Sequence, residues 1–397
     1  MADLLSIADA QRLILERVRV LPAETVALEE AADRVLAEPA LAVVDLPPFP
    51  SSAMDGYALR SEDTPGELTI SAHAPAGRPA AIDLEPGRAI GIATGGMVPQ
   101  GADAVIPVEY VVENGNKVAV SSAVPPGDNV RPRGGDVREG EVVAGAGVRL
   151  TPARLGALAA AGVAEVLCAR RPRAAVVPTG TELRPPGEPL ALGEIYEANG
   201  VILAAQLAGA GAVVERLAAV GDDEGEHTRA LDRALESDLV VTTGGVSVGP
   251  HDLVRRVEAS LGVEEVFWRV AVKPGKPISF GVRNGTLVFG LPGNPVSALV
   301  GFELFVRAAV RALQGVREPL PRFERGRLAS ERRRNPARDE LVRARARQED
   351  GDVVLEPLSG QESHMIARAA AADALVLVPR GEGLLAAGTV VEYLRLD

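Results

Sequence analysis

Between residues 172 and 315 the apolar positions follow two periods in turn. Short apolar runs at 174–177, 213–220 and 239–243 are separated by stretches of helical spacing at 198–210, 226–235 and 252–261. Runs that are apolar throughout suit strands covered on both faces, and their alternation with helices predicts a doubly wound parallel sheet. The segment 280–289 breaks the pattern: two β runs flank Asn284-Gly285, a strong hairpin signal. A long helix is predicted to start at Asn294-Pro295, with Asn as cap and Pro in the first turn.

The flanking regions read differently. Over residues 3–37, Leu4, Ile7, Ala8, Leu13, Ile14 and Val18 recur at helical spacing; Pro22 should close a first helix, and 29–37 should form a second. From 42 to 140, Gly and Pro punctuate short β runs such as 67–71, 89–92 and 117–120, the mark of a small β-rich domain inserted between helical stretches. Residues 141–169 return to short strands and an Ala-rich helix at 152–161, placed to pack back on the N-terminal helices. A polar, Pro-containing linker is expected at 316–330. Alternating runs at 341–347, 353–357, 374–379 and 389–394 then predict a small all-β domain.

Composition narrows the function classes. At 397 residues the chain should hold several domains, and 47% hydrophobic with 24% charged residues is ordinary for a folded protein. A net charge of −12 argues against a nucleic-acid binder. The single cysteine, Cys168, excludes an intrachain disulfide, and four histidines make a Cys/His zinc cage an unattractive reading. No apolar run approaches the length of a membrane span, and the N-terminal stretch carries acidic residues instead of a signal-peptide pattern, so a cytoplasmic protein is expected.

Open parallel sheets bind ligands beyond the carboxyl ends of their strands. Five such ends carry polar turns here: 178–182, ending at Glu182; 221–223, with Asp222; 243–252, with Gly244, Gly245, Ser247, Gly249 and Asp252; 273–277, with Lys273, Lys276 and Pro277; and 291–295, with Pro292 and Pro295. The Gly-rich turn lets backbone N–H groups approach an anion. Two of the chain's three lysines sit on one stiff Pro-Gly loop, which suits an oxyanion. Glu182, Asp222 and Asp252 are candidate ligands for Mg²⁺ or for substrate donors, and Asp222 and Asp252 also stand where helix caps would. In the β-rich region, 51–58, 94–96 and 131–136 form further polar Gly loops. No Ser-His-Asp arrangement or Walker A loop is evident.

Seven of these segments in order carry a resemblance: Ser-Ala-Met-Asp-Gly-Tyr-Ala (52–58), Ala-Thr-Gly-Gly (93–96), Arg-Gly-Gly-Asp (133–136), Pro-Thr-Gly-Thr-Glu-Leu (178–183), Gly-Gly-Val-Ser-Val-Gly (244–249), Lys-Pro-Gly-Lys-Pro (273–277) and Leu-Pro-Gly-Asn-Pro-Val-Ser (291–297). Over essentially its whole length the chain resembles the molybdopterin molybdenumtransferases (molybdenum insertases), which include the E domain of gephyrin. The resemblance implies a multidomain α/β plus β protein. Its parts would be an N-terminal/dimer domain (1–41 with 141–169), an inserted β-rich domain (42–140), a molybdopterin-binding α/β domain (170–317) and a C-terminal β-barrel-like domain (318–397).

The resemblance also implies conversion of adenylyl-molybdopterin and molybdate to molybdenum cofactor and AMP, with Mg²⁺. By motif it assigns function to Asp55, Thr94, Asp136, Glu182, Asp222, Asp252 and Lys273, and substrate- or molybdate-loop roles to Lys276, Pro277 and Ser297. Arg343 and Ser363 match positions implicated in molybdate binding. Arg269, after Trp268, stands where relatives often have Lys. A homodimer is implied, with the β-rich domain of one subunit over the α/β cleft of the other, a molybdopterin adenylyltransferase upstream and molybdoenzyme maturation factors downstream. Other readings are an adenylyltransferase-like enzyme, a scaffold like the gephyrin E domain, and a passive molybdopterin carrier.

Overall fold

The computed structural model describes residues 4–245 and 253–396. Its centre is a six-stranded sheet in the order Val213–Arg216, Arg173–Pro178, Leu239–Thr243, Thr286–Leu291, Ser279–Arg283, Glu264–Trp268. All run the same way except Ser279–Arg283, which pairs antiparallel with both neighbours. Its hairpin to Thr286–Leu291 turns on Asn284 (φ +51°) and Gly285 (φ +93°), as read from the sequence. Both faces are covered. Ala174, Val176, Leu239, Val241, Leu287 and Phe289 enter one core, while the intervening Ala175, Val177, Val240 and Val288 enter the other. Phe280 and Phe289 are cross-strand partners with ring centroids 4.9 Å apart, which ties the hairpin to the larger core.

The larger core also takes in the first helix. Ile7–Leu15 is capped by Ser6, whose hydroxyl accepts from the Asp9 N–H at 3.0 Å, and buries Ala10 and Ile14 against the long helical segment 295–313. The second predicted helix, 29–37, does not form. A single short turn, Leu28–Glu30, gives way at Asp33, which has φ +64°, a left-handed conformation that ends helical growth. Val35 and Leu36 instead bridge to Arg149 and Cys168.

Strand Ala23–Ala27 pairs antiparallel with Glu165–Ala169, and Ala40–Leu41 pairs with Val142–Ala144. The chain therefore leaves for 42–140 and returns at one place. Helix Pro152–Ala160 lays Leu158 into this smaller core, beside Val26, Leu36 and Cys168. Residues 42–140 build a separate six-stranded mixed sheet, ordered Ala104–Pro107, Gly56–Leu59, Arg88–Ile92, Gly66–Ala74, Lys117–Val120, Val111–Asn114.

Near the C-terminus five strands close into a barrel: Asp339–Glu349, Asp352–Pro357, Glu324–Leu328, Val390–Arg395 and Ala374–Val378, the last pairing back on the first. Leu328, Val342, Leu355, Val376, Val391 and Tyr393 fill it. One barrel strand, Glu324–Leu328, lies inside the segment read as a linker. Its outward residues are Glu and Arg, and inward it offers only Gly326 and Leu328, too little apolar signal to stand out. The short strand Val272–Lys273 pairs with Asp339-Glu340 and joins barrel to α/β sheet. Among the described residues no helix is long and apolar enough to cross a membrane.

Candidate active site

Register brings the strand ends together. Pro178, Thr243 and Leu291 are direct neighbours across three parallel strands, so the turns that follow them share one rim. The rim is cross-linked. Thr179 N–H donates to Thr243 O at 2.9 Å and Gly244 N–H to Leu291 O at 3.1 Å. Asn199, at the start of helix Asn199–Gly209, donates through Nδ2 to Thr243 Oγ1 (2.6 Å) and Gly293 O (2.7 Å). Above lies a cleft of about 720 Å³, a size typical of ligand sites, walled by Glu182, Asp222, Gly244, Gly245, Pro277, Pro292 and Pro295 among others. His364 and Ile366 of the C-terminal region complete one side.

Gly244 and Gly245 have φ of +91° and +64°. A Cβ on Gly244 would collide with Thr179 O and stand 2.7 Å from Thr179 Oγ1; one on Gly245 would collide with Val254. The turn is therefore closed to larger residues, and its backbone is kept near the cleft. Ser247, Gly249 and Asp252, the rest of that predicted loop, lie outside the described residues.

Glu182 and Asp222 are both exposed in the cleft, and neither makes a side-chain hydrogen bond or ion pair among the described residues. The helix-cap reading of Asp222 is corrected: the cap of Glu224–Ala234 is Asp223, which accepts from the Glu226 N–H at 2.8 Å. Asp222 therefore does not cap that helix. Behind it His227 is 1% exposed, and burial holds its pKa below the ordinary histidine value. No cluster of three or more metal-ligating side chains occurs among the described residues. Mg²⁺, however, binds through one or two carboxylates and completes its shell with phosphate oxygens and water, so free cleft carboxylates fit it.

The cations are disposed unequally. Lys273 is held by Glu340 of the barrel, Nζ to Oε1 3.1 Å, and Arg332 shares that carboxylate at 3.8 Å. Lys276 is exposed, with no ion pair among the described residues, and follows Gly275, where an added Cβ would come within 3.6 Å of Ser297 O. Ser297 itself is buried in the first turn after Asn294. Arg269 (φ +78°) lays its guanidinium over Trp268, 3.6 Å from the ring centroid, with Nε buried and unpartnered. Arg269, Lys273, Lys276 and Ser297 are not among the residues that wall the cleft.

Arg343 stands apart from the cleft. It is 2% exposed, and its guanidinium donates to Gly360 O, Glu362 O, Met365 O and Gln361 Oε1. It thereby shapes the loop whose Ser363 carbonyl accepts from the Val296 N–H at 3.1 Å, just where helix Pro295–Gly301 meets the cleft. Arg343→Ala would leave several carbonyls without donors. A loss of about 3 kcal/mol in urea unfolding is expected. Unchanged stability with weakened molybdate binding would instead make Arg343 a ligand contact.

Asp55 and Thr94 are brought together in the β-rich sheet, because Gly56 pairs with Ile92 and both residues lie just beyond that pair. Asp55 Oδ1 accepts from Thr94 N (2.6 Å) and Oγ1 (3.0 Å). The backbone N–H first, then the hydroxyl, keep its pKa below the ordinary carboxylate value. Asp136 is exposed on its own loop, its N–H donating to Leu46 O. No residue of 42–140 lines the cleft of the same chain among the described residues.

Asn199, His227 and His364, and Tyr196, which also lines the cleft, were not singled out from the sequence. The available signal was the helix start predicted at 198, which follows the rim and points its N-terminal turn at the ligand side. His364 gave none, because only the closed barrel brings it to the cleft.

Comparison with known proteins identifies the family. Residues 5–162 match the MoeA N-terminal region (domain I and II), 175–312 a probable molybdopterin binding domain, and 325–396 the MoeA C-terminal region (domain IV). Molybdopterin molybdenumtransferase 2 of Mycobacterium tuberculosis is 38% identical over 98% of both chains. The chain belongs to the molybdopterin molybdenumtransferase family. The Haemophilus influenzae member is 41% identical over 73% of each chain. The molybdopterin biosynthesis moeA protein of Pyrococcus horikoshii OT3 superposes with a TM-score of 0.86 at 30% identity, covering 99% of this chain and all of that one.

Proposed function

We propose that this member of the family inserts molybdenum from molybdate into adenylyl-molybdopterin and releases AMP. Family membership supports the reaction class. The observation that carries the rest is the cleft, which a Gly-Gly turn that admits no side chain shares with two carboxylates that make no side-chain hydrogen bond or ion pair among the described residues. A pterin phosphate needs close backbone N–H groups, and an adenylate phosphoanhydride needs its charge offset where it breaks.

In this reading Gly244 and Gly245 let the backbone approach the substrate phosphate, and Asn199 holds the facing turn at Gly293 in place. Glu182 and Asp222, with Asp252, are the residues that would hold Mg²⁺, which would supply charge neutralisation at the phosphates. Lys276, unpaired among the described residues, would meet a tetrahedral dianion, and Lys273 is kept in position by Glu340. Arg343 and Ser363 act through the loop they shape, and Arg269 through its stack on Trp268.

Among the described residues, Asp55, Thr94 and Asp136 do not line the cleft of their own chain. We assign them to the cleft of a second copy, which makes the active form a homodimer. The ionised Asp55 would then orient substrate or water. A cytoplasmic location belongs to the same proposal, since a dithiolene substrate needs a reducing compartment. A molybdopterin adenylyltransferase would supply the substrate, and maturation factors for molybdoenzymes would take the product.

Purified protein given adenylyl-molybdopterin, Mg²⁺ and molybdate should release AMP only when molybdate is present, with molybdenum retained on the pterin. ATP consumption with free molybdopterin would support an adenylyltransferase instead, and tight binding without AMP release would leave a carrier or scaffold.

A further inference from the structure

A second cavity, about 510 Å³, shares no lining residue with the cleft. It lies where the ends of helices Asn199–Gly209 and Arg307–Leu313 meet the barrel strand Val390–Arg395 and the segment around Asp33. Six arginines and three carboxylates line it. The carboxylates are already committed. Asp33 pairs with Arg149 at 2.9 Å, and Glu324 lies 3.3 Å from Arg395. Glu303 takes Arg307 in a two-point pair (2.6 and 2.7 Å) and also accepts from Gln206.

That leaves Arg171, Arg311 and Arg322 without an ion pair among the described residues, on a chain whose overall charge is −12. Arginine is this chain's default cation, so the residue type alone means little; the three uncompensated charges around one cavity carry the inference. Burial first, then the guanidinia of Arg307 and Arg149, hold the Arg311 pKa below its ordinary value. Helix C-termini would normally repel an anion here. Gln314, 5% exposed, blunts them by donating to Ala210 O (2.9 Å) and Val310 O (3.0 Å).

We propose that this cavity binds a small molecule carrying a diphosphate group, held by Arg171, Arg311 and Arg322. Forked guanidinium donors match phosphate oxygens two at a time, and the volume suits a ligand larger than one phosphate. A ligand there would also tie the barrel to the α/β part.

Inorganic pyrophosphate is the probe, added without Mg²⁺ to the full chain. Calorimetry should find binding and a raised Tm that survive Lys276→Ala. Arg171→Gln with Arg322→Gln, both exposed and so safe for folding, should weaken binding roughly tenfold or more. Arg311→Gln should do the same. Binding that persists in the double variant overturns the site, as does an equal Tm rise from sodium chloride at matched ionic strength. A changed oligomeric state in the double variant would also overturn it, by showing that the arginines serve a contact between chains.

Discussion

Gly244→Ala should lower kcat/KM for molybdate-dependent AMP release by about 100-fold, the scale of loss for a reacting group displaced by about 1 Å. The reason is geometric. A methyl at this position collides with Thr179 O, which belongs to the neighbouring strand end, and φ is +91°. The turn must move away from Thr179, and Gly244 lines the cleft, so the displacement alters the cleft wall. Gly285→Ala separates this effect from backbone strain. Gly285 has φ +93° but nothing within 4 Å of a new Cβ, and it sits on the hairpin away from the cleft. It should cost stability of about 1 kcal/mol with the rate preserved. A Gly244→Ala protein with wild-type turnover would mean that the turn does not bear on the substrate.

The central sheet was legible because its chemistry is local. Strands buried on both faces must be apolar throughout, so 174–177 and 239–243 announced themselves, and Asn284-Gly285 is the cheapest way to reach two successive positive φ values. The rim followed from topology, since whatever comes after parallel strands shares one edge. The failures were non-local. Residues 29–37 have helical composition, yet Asp33 in a left-handed conformation sends Val35 and Leu36 into bridges with chain more than a hundred residues away. Glu324–Leu328 is a strand because the barrel needs a fifth member, and its own residues hardly show it.

The candidate site divides in the same way. Motif order identified Glu182, Asp222 and the Gly-Gly turn, and the cleft holds all of them. What a sequence cannot say is how a side chain spends its donors. Arg343 matched a binding position, but in the fold it is buried and its guanidinium faces loop carbonyls. Lys273 and Lys276 looked equivalent on one loop; only the docking of the barrel gives Lys273 a carboxylate, while Lys276 has none among the described residues.

A heterodimer of Asp55→Ala and Asp222→Ala chains should recover about half the activity of the wild-type dimer, although each homodimer is nearly inactive. The argument rests on where the two carboxylates lie. Asp222 is in the α/β cleft and Asp55 is fixed by Thr94 on the β-rich sheet, and one chain does not bring them into one cavity. If a site draws its cleft from one chain and its Asp55 from the other, the mixed dimer pairs the intact cleft of the Asp55→Ala chain with the intact Asp55 of its partner. The second site collects both defects, so one of two sites works. If each chain uses its own Asp55, both sites in the mixed dimer carry one defect and the activity stays near zero. Two affinity tags, one on each variant, isolate the mixed dimer, and AMP release per dimer is the readout. Half-activity requires the shared arrangement. A near-zero rate places each Asp55 with its own chain, and failure to isolate any doubly tagged species sinks the dimer itself.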